Sequence, residues 1–316
     1  MLTTKERYFE QISASLLVRS FMERTPGGTD PYDALRRHVT AARGAGEFGA
    51  KPDLGRLMRC RNIDEHLTYV PNAPFDACIQ PVGNRYQDGF RIVVNRSRPA
   101  VRARFSIAHE ICHTFFYELV PEIKYARHTA DAGEEHLCNF GAAEFLIPGD
   151  LVASDAAKGR PSLQLLESLA RKYCVTVETM LLRLRGLGLW KCSLLFWHRM
   201  VNGEFVLRKV YGDRKVKWEW EDSSLLSRVW SAEPGRTLSG RMPVTFERSG
   251  GASGAQVVHY QIRRRGDVLV CLWSQRTLER QQMPLFTKKL VPMGLGGFAS
   301  RVPAASGCNE DARLAG

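Results

Sequence analysis

The chain has 316 residues, 44% of them apolar and 25% charged, an ordinary globular composition with enough length for two or three cores. Its formal net charge is +12, and no apolar run reaches the ~18 residues that span a bilayer, which argues against a membrane partner. The N-terminus Met1-Leu2-Thr3-Thr4-Lys5-Glu6-Arg7 lacks the apolar stretch of a secretory signal, and the eight cysteines include no CxxC pair, so the expected setting is a reducing cytoplasm.

Residues 5–70 read mainly as helix, interrupted near Thr25-Pro26-Gly27-Gly28. Strands are expected over Ala77–Val82 and Gly89–Asn95, either side of the turn-forming stretch 83–88. The segment that carries chemistry follows. His109-Glu110-Ile111-Cys112-His113 is an HExxH motif. On a helix this spacing sets two imidazoles one turn apart on one face with a carboxylate beside them, the arrangement of a zinc site with its own general base. Ile107, Ala108, Ile111, Phe115 and Leu119 recur at helical spacing, and Ser106 is the expected N-cap. A strand that precedes such a helix commonly lies beside the cleft and holds an extended substrate main chain to main chain.

A second helix is expected over 134–148. A zinc site with two histidines needs a third protein ligand and an open position for water. Glu135, 22 residues after His113, is the candidate, rather than its neighbours Glu134 or His136, because it lies one turn before Asn139 and shares a face with Ala142. Asn139 would then support a ligand from outside the metal shell. Gly141, Ala142 and Ala143 are small enough to let this helix approach the His109 helix closely. Cys112 and Cys138 read as small buried packing residues in preference to thiolate ligands or a redox pair.

The run Arg104-Phe105-Ser106-Ile107-Ala108-His109-Glu110-Ile111-Cys112-His113, followed by Glu135, Cys138-Asn139, Ala142-Ala143 and Leu146-Ile147-Pro148, resembles the ImmA/IrrE family of zinc metallopeptidases. That family's pattern reads approximately RFtlAHElgH, then ExxxNxFAaxLLmP. The resemblance covers roughly residues 90–148 and implies a zincin-like metallopeptidase domain. It implies that His109, His113 and Glu135 are metal ligands and Glu110 the catalytic glutamate, with zinc as the cofactor, although manganese also suits such a donor set. It further implies a zinc endopeptidase that cuts one protein at a specific site, the substrate being a DNA-binding helix-turn-helix repressor in a stress or mobile-element response. Two positions depart from the pattern: Cys112 stands where the family usually has glycine, and Gly141 where it usually has phenylalanine, with Phe140 one position early. For the group that stabilises the oxyanion, Tyr117, Tyr125, His128 and Arg104 are all near enough in sequence, and the choice among them stays open.

The expected fold class is α+β in three parts: a zincin-like metallopeptidase domain over 1–150, a helical segment similar to a helix-turn-helix over 151–189, and a β-rich domain over 190–302. In the middle part Ala170, Val175 and Met180 are the apolar anchors, and Arg183 and Arg185 the only obvious donors to nucleic acid, so packing on the peptidase is preferred over DNA reading. The last part shows hairpin signals over Cys192–His198 with Glu204–Tyr211 and over Gln256–Arg264 with Val268–Ser274, with a helix over Ser223–Ala232 between them. In element order it is similar to the GAF-like sensor domain of longer family members. Ser249–Gly254 reads as a flexible connection and 303–316 as a disordered tail. Residues 190–300 hold 18 Lys+Arg against 9 Asp+Glu, which keeps nucleic acid as a possible but not favoured partner. The competing function is a DNA-binding regulator or sensor with a structural or inactive zinc site. Glu110 argues against it, because a structural zinc needs no carboxylate base.

Overall fold

The computed structural model describes residues 15–25, 30–45, 51–118, 132–212, 216–219, 223–248 and 253–274. Among these no helix is long and apolar enough to cross a membrane. Three helices come first: α1 (Leu16–Arg24), α2 (Pro31–Ala45) and α3 (Leu54–Cys60). Ser15 caps α1 by accepting from the Val18 N–H, and Asp53 caps α3 by accepting from Gly55 and Arg56. A three-stranded sheet follows, built from β1 (Thr68–Val70), β2 (Ala77–Pro81) and β3 (Phe90–Asn95) in the order β1-β3-β2. β1 runs parallel to β3 and falls in a stretch expected to be helical; β2 runs antiparallel to β3 and is an edge strand.

The HExxH motif lies in α4 (Ala100–Tyr117), which begins behind Pro99. Ser106 is therefore not the N-cap that the sequence suggested. It sits inside the helix and donates its hydroxyl to the Arg102 carbonyl at 3.3 Å, the usual local bond of a serine one turn on. α5 (Ala132–Leu146) carries Glu135 and packs along α4. Its far end is tied down by charge: Glu144, buried, meets Arg36 of α2 at 3.1 Å and Arg183 at 2.5 Å, while Arg43 donates to the Phe145 carbonyl.

Next come α6 (Gly149–Ala156), α7 (Leu163–Lys172) and α8 (Val177–Gly186), the last two joined by the turn 173–176. Cys174 takes a left-handed φ of 52° there, and the Val175 N–H closes α7 by donating to the Ala170 carbonyl. The two arginines that nucleic-acid reading would need are engaged within the fold. Arg183 is buried against Glu144 and the Ile147 carbonyl, and Arg185 donates to the Cys192 carbonyl.

The C-terminal part is one six-stranded antiparallel sheet of β4 (Ser193–Arg199), β5 (Phe205–Tyr211), β6 (Val216–Glu219), β7 (Thr237–Arg248), β8 (Ser253–Arg265) and β9 (Val268–Ser274), in the order β5-β4-β9-β8-β7-β6. α9 (Ser223–Ser231) lies between β6 and β7 in sequence. Ser253 and Gly254, expected in a flexible connection, begin β8 and pair with Glu247 and Phe246. Side chains alternate along the central strands. Leu194, Phe196, Val270 and Leu272 join the core of the helices, whereas Leu195, Trp197, Leu269, Cys271 and Trp273 form a second core with Leu225, Leu226 and Val229 of α9. β4 and β9 are thus buried on both faces, which is why they read as unbroken apolar runs. Polar ties join the sheet to α7: the Leu163 N–H donates to Gln261, and Arg263 pairs with Glu167.

One buried carboxylate fastens α6 to α7. Asp155 accepts from the Tyr173 hydroxyl at 2.8 Å, Lys158 at 2.6 Å and Lys172 at 2.5 Å. Burial pushes its pKa up, but these three donors outweigh it and hold the carboxyl at about 2. A folded pKa below the unfolded one gives stability that is complete above about pH 4 and lost as pH falls through 2. Asp155→Asn should therefore cost about 1–3 kcal/mol at neutral pH. Urea denaturation of parent and variant should converge as the pH is lowered from 4 to 2.

Candidate metal centre

α4 and α5 bring three donors together. The Nε2 atoms of His109 and His113 lie 3.1 Å apart, and the Glu135 carboxylate stands 3.1 Å from the first and 3.5 Å from the second. His109, Glu110 and His113 offer ligand atoms within 4.8 Å of one another. The Glu135 carboxyl is held below its ordinary range, chiefly by its hydrogen bond to His109. The Glu135 side chain is 47% exposed, so this cluster opens to a cleft of about 950 Å³.

Each imidazole is gripped at its other nitrogen. Asn139 donates its amide to the Glu135 carbonyl at 2.9 Å, which leaves its oxygen to face His109 Nδ1 at 3.1 Å. Glu134 reaches His113 Nδ1 at 2.5 Å, both side chains being buried. Burial would lower the His113 pKa, but the hydrogen bond to Glu134 and the surrounding carboxylates raise it to about 9. His136 turns elsewhere, edge-on to the Tyr32 ring at 5.8 Å.

Glu110 is buried at the floor of the cleft, where its Oε2 accepts the Ile79 N–H at 2.9 Å. The register explains this contact. Ile79 lies opposite Ile92, and the neighbouring ladder bonds run from Asn95 N–H to Asp76 O and from Val82 N–H to Gly89 O. Pairing to β3 therefore alternates with outward peptide groups, and those of Ala77 and Ile79 face the cleft. Ala77, Cys78, Ile79 and Gln80 line it beside the histidines. The strand–helix contact was invisible in the sequence, since nothing local marks which strand is the edge.

Of the four residues considered for the oxyanion, Tyr117 lines the cleft, stacked on His113 with ring centroids 5.8 Å apart and an interplanar angle of 15°. Arg104 is directed away: it donates to the Pro52 carbonyl and lines a separate cavity with Asp53 and Tyr69. Tyr125 and His128 lie outside the described residues. Arg61, which the sequence did not single out, clasps the end of α4 through Thr114 and Glu118 and sits 4.2 Å over the Phe115 ring. Cys112 and Cys138 are fully buried, and burial pushes their thiols well above their ordinary range.

Residues 78–185, from the edge strand through both helices of the centre to the end of α8, match the IrrE N-terminal-like domain of the M78 peptidases. Over that stretch, about a third of its length, the chain is similar to the ImmA/IrrE family. It is 29% identical over 154 residues to the radiation response metalloprotease IrrE of Deinococcus deserti, an alignment that takes in 47% of this chain. The chain spans about half the length of that curated relative, 51%. Among solved structures a Mycobacterium tuberculosis transcriptional regulator aligns with 84% of this chain and 81% of its own, at a TM-score of 0.41 and 18% identity.

The two departures from the ImmA/IrrE pattern meet in space. A Cβ on Gly141 would stand 2.7 Å from Cys112 Sγ and 3.1 Å from Leu35 Cδ2. The thiol where the family usually has glycine thus occupies room that the missing side chain at 141 provides. Gly141→Ala should destabilise by roughly 1–3 kcal/mol through overpacking, less any gain in helix propensity. Combined with Cys112→Ala it should be tolerated, with a coupling of about 0.5–3 kcal/mol in a denaturation cycle. Additive effects would show that the two positions do not compete for one space.

Proposed function

We propose that this chain is a zinc-dependent endopeptidase that cuts one protein substrate at a specific site, the substrate being a helix-turn-helix transcriptional repressor in a stress or mobile-element response. The observation that carries the reading is the convergence of His109 Nε2, His113 Nε2 and the Glu135 carboxylate beside Glu110. The donor set fits zinc: two imidazoles held at Nδ1 present Nε2, and one carboxylate completes three protein ligands with an open side toward the cleft. Bound there, zinc would polarise a water and bring its pKa toward ~7.

The remaining work falls to the chain. Glu110 takes the proton from the attacking water. Its Oε2 is steadied by the Ile79 N–H, leaving Oε1 for the proton, which it then returns to the leaving amine. An extended substrate adds to the cleft side of β2, pairing with the outward peptide group of Ala77 and with the Ile79 carbonyl, since the Ile79 N–H is held by Glu110. Tyr117, alone of the described candidates, stands on the cleft wall where it can meet the developing oxyanion. The C-terminal sheet, with no set of catalytic groups recognised in its sequence, is assigned a regulatory, sensor-like role.

The competing reading, a DNA-binding regulator with a structural zinc, has weaker support. Arg183 and Arg185, the donors it would use on α8, are spent on internal partners. The deciding experiment is to incubate the purified protein, with and without zinc, with a repressor encoded beside its gene. A defined pair of fragments that requires zinc is expected; an intact repressor under every condition would sink the proposal. Glu110→Gln should keep one equivalent of zinc and lose at least ~10²-fold in cleavage rate. Glu135→Ala should instead lose zinc, measured by metal analysis after dialysis.

A further inference from the structure

We propose that Glu134 is a positioning residue for His113: it holds the imidazole as the Nδ1–H tautomer, turns Nε2 toward Glu135, and so sets the metal affinity of the centre. The inference rests on reading His109, His113 and Glu135 as the metal shell. Consecutive residues of one helix turn supply two different things. Glu135 is 47% exposed at its side chain and faces the Nε2 atoms from the cleft; Glu134 is 5% exposed and meets the opposite edge of the His113 ring at 2.5 Å. From that edge Glu134 has no access to the position between the three donors and does not replace Glu135 there; it is grouped with Cys138 on the Nδ1 side of the ring.

The two histidines are also held unequally. His109 leans on the neutral Asn139 amide, whose orientation is fixed by its own bond to the Glu135 carbonyl. His113 leans on a buried carboxylate, with Tyr117 stacked against its face and Cys138 close behind the pair. A hydrogen bond from Nδ1–H to a carboxylate fixes the ring and makes Nε2 a stronger electron-pair donor, and an outer partner of this kind is typically worth about 10–100-fold in metal affinity. A neutral amide gives the same orientation with less donor strength. His113 is thereby the dominant imidazole of the site, and Glu134 the residue that makes it so.

The test uses the full chain and zinc itself, titrated against a chromogenic chelator. Glu134→Gln preserves shape and an acceptor oxygen while removing charge, and should weaken zinc binding about 10-fold. Glu134→Ala removes the acceptor and should weaken it further, toward about 100-fold. Asn139→Ala should cost less than Glu134→Ala. A spectroscopic reading separates positioning from general packing. In the zinc-loaded parent labelled with 15N-histidine, the His113 Nδ1–H proton should appear far downfield and exchange slowly; in Glu134→Ala it should move upfield and broaden. If the parent binds one equivalent of zinc and both Glu134 variants match it in affinity and in that resonance, this inference alone is overturned. If the parent takes up no zinc, the metal-shell reading falls, and this inference with it.

Discussion

Everything at the metal centre depends on how closely α5 can approach α4. The contact is set where Gly141 meets Cys112, a place where one added carbon would lie 2.7 Å from sulfur. That proximity lets the first turn of α5 reach past the His113 ring on both sides, with one carboxylate in front and one behind. The opposite end of α5 is pinned by Glu144 between Arg36 and Arg183. A helix held at both ends cannot slide along its partner without breaking either a buried ion pair or the grip on an imidazole, and removing one member of such a pair is strongly destabilising. Rigidity at the centre is therefore supplied by residues that never face the cleft.

The parts of this arrangement that were legible in the sequence are those whose signal is periodic or local. Two histidines four apart have only one relation on a helix, so His109 and His113 could be placed together before any fold was known. Glu135 and Asn139 were legible for the same reason, as neighbours one turn apart. The helical segment that holds α7 and α8, and the hairpins of Cys192–His198 with Glu204–Tyr211 and of Gln256–Arg264 with Val268–Ser274, announced themselves through spacing and turn chemistry.

What escaped depends on tertiary context. Ser106 looked like a cap because serine favours helix starts, but α4 had already begun behind Pro99. Glu134 has the same local propensity as Glu135, and only burial tells them apart. β7 carries Gly240 and Pro243, residues that weaken a strand reading. It forms because Gly240 leaves room for the Tyr260 ring across the ladder and because β8 pairs with it from Thr237 to Glu247. β1 is three residues long and exposed, and exists only because β3 offers it an edge.

The double burial of β4 and β9 has a consequence for how the C-terminal sheet can influence the helical core. Domains joined by a linker communicate by swinging; here the two central strands are members of both cores at once, and neither can be withdrawn without opening both. Any change on the α9 side of the sheet reaches β9, whose Val270 and Leu272 belong to the core of the helices. The effect would pass to the centre as a change in the amplitude of motion around an unchanged mean structure. Such coupling leaves static coordinates alike in both states and reveals itself in the rate at which buried amides of α4 and α5 exchange with water.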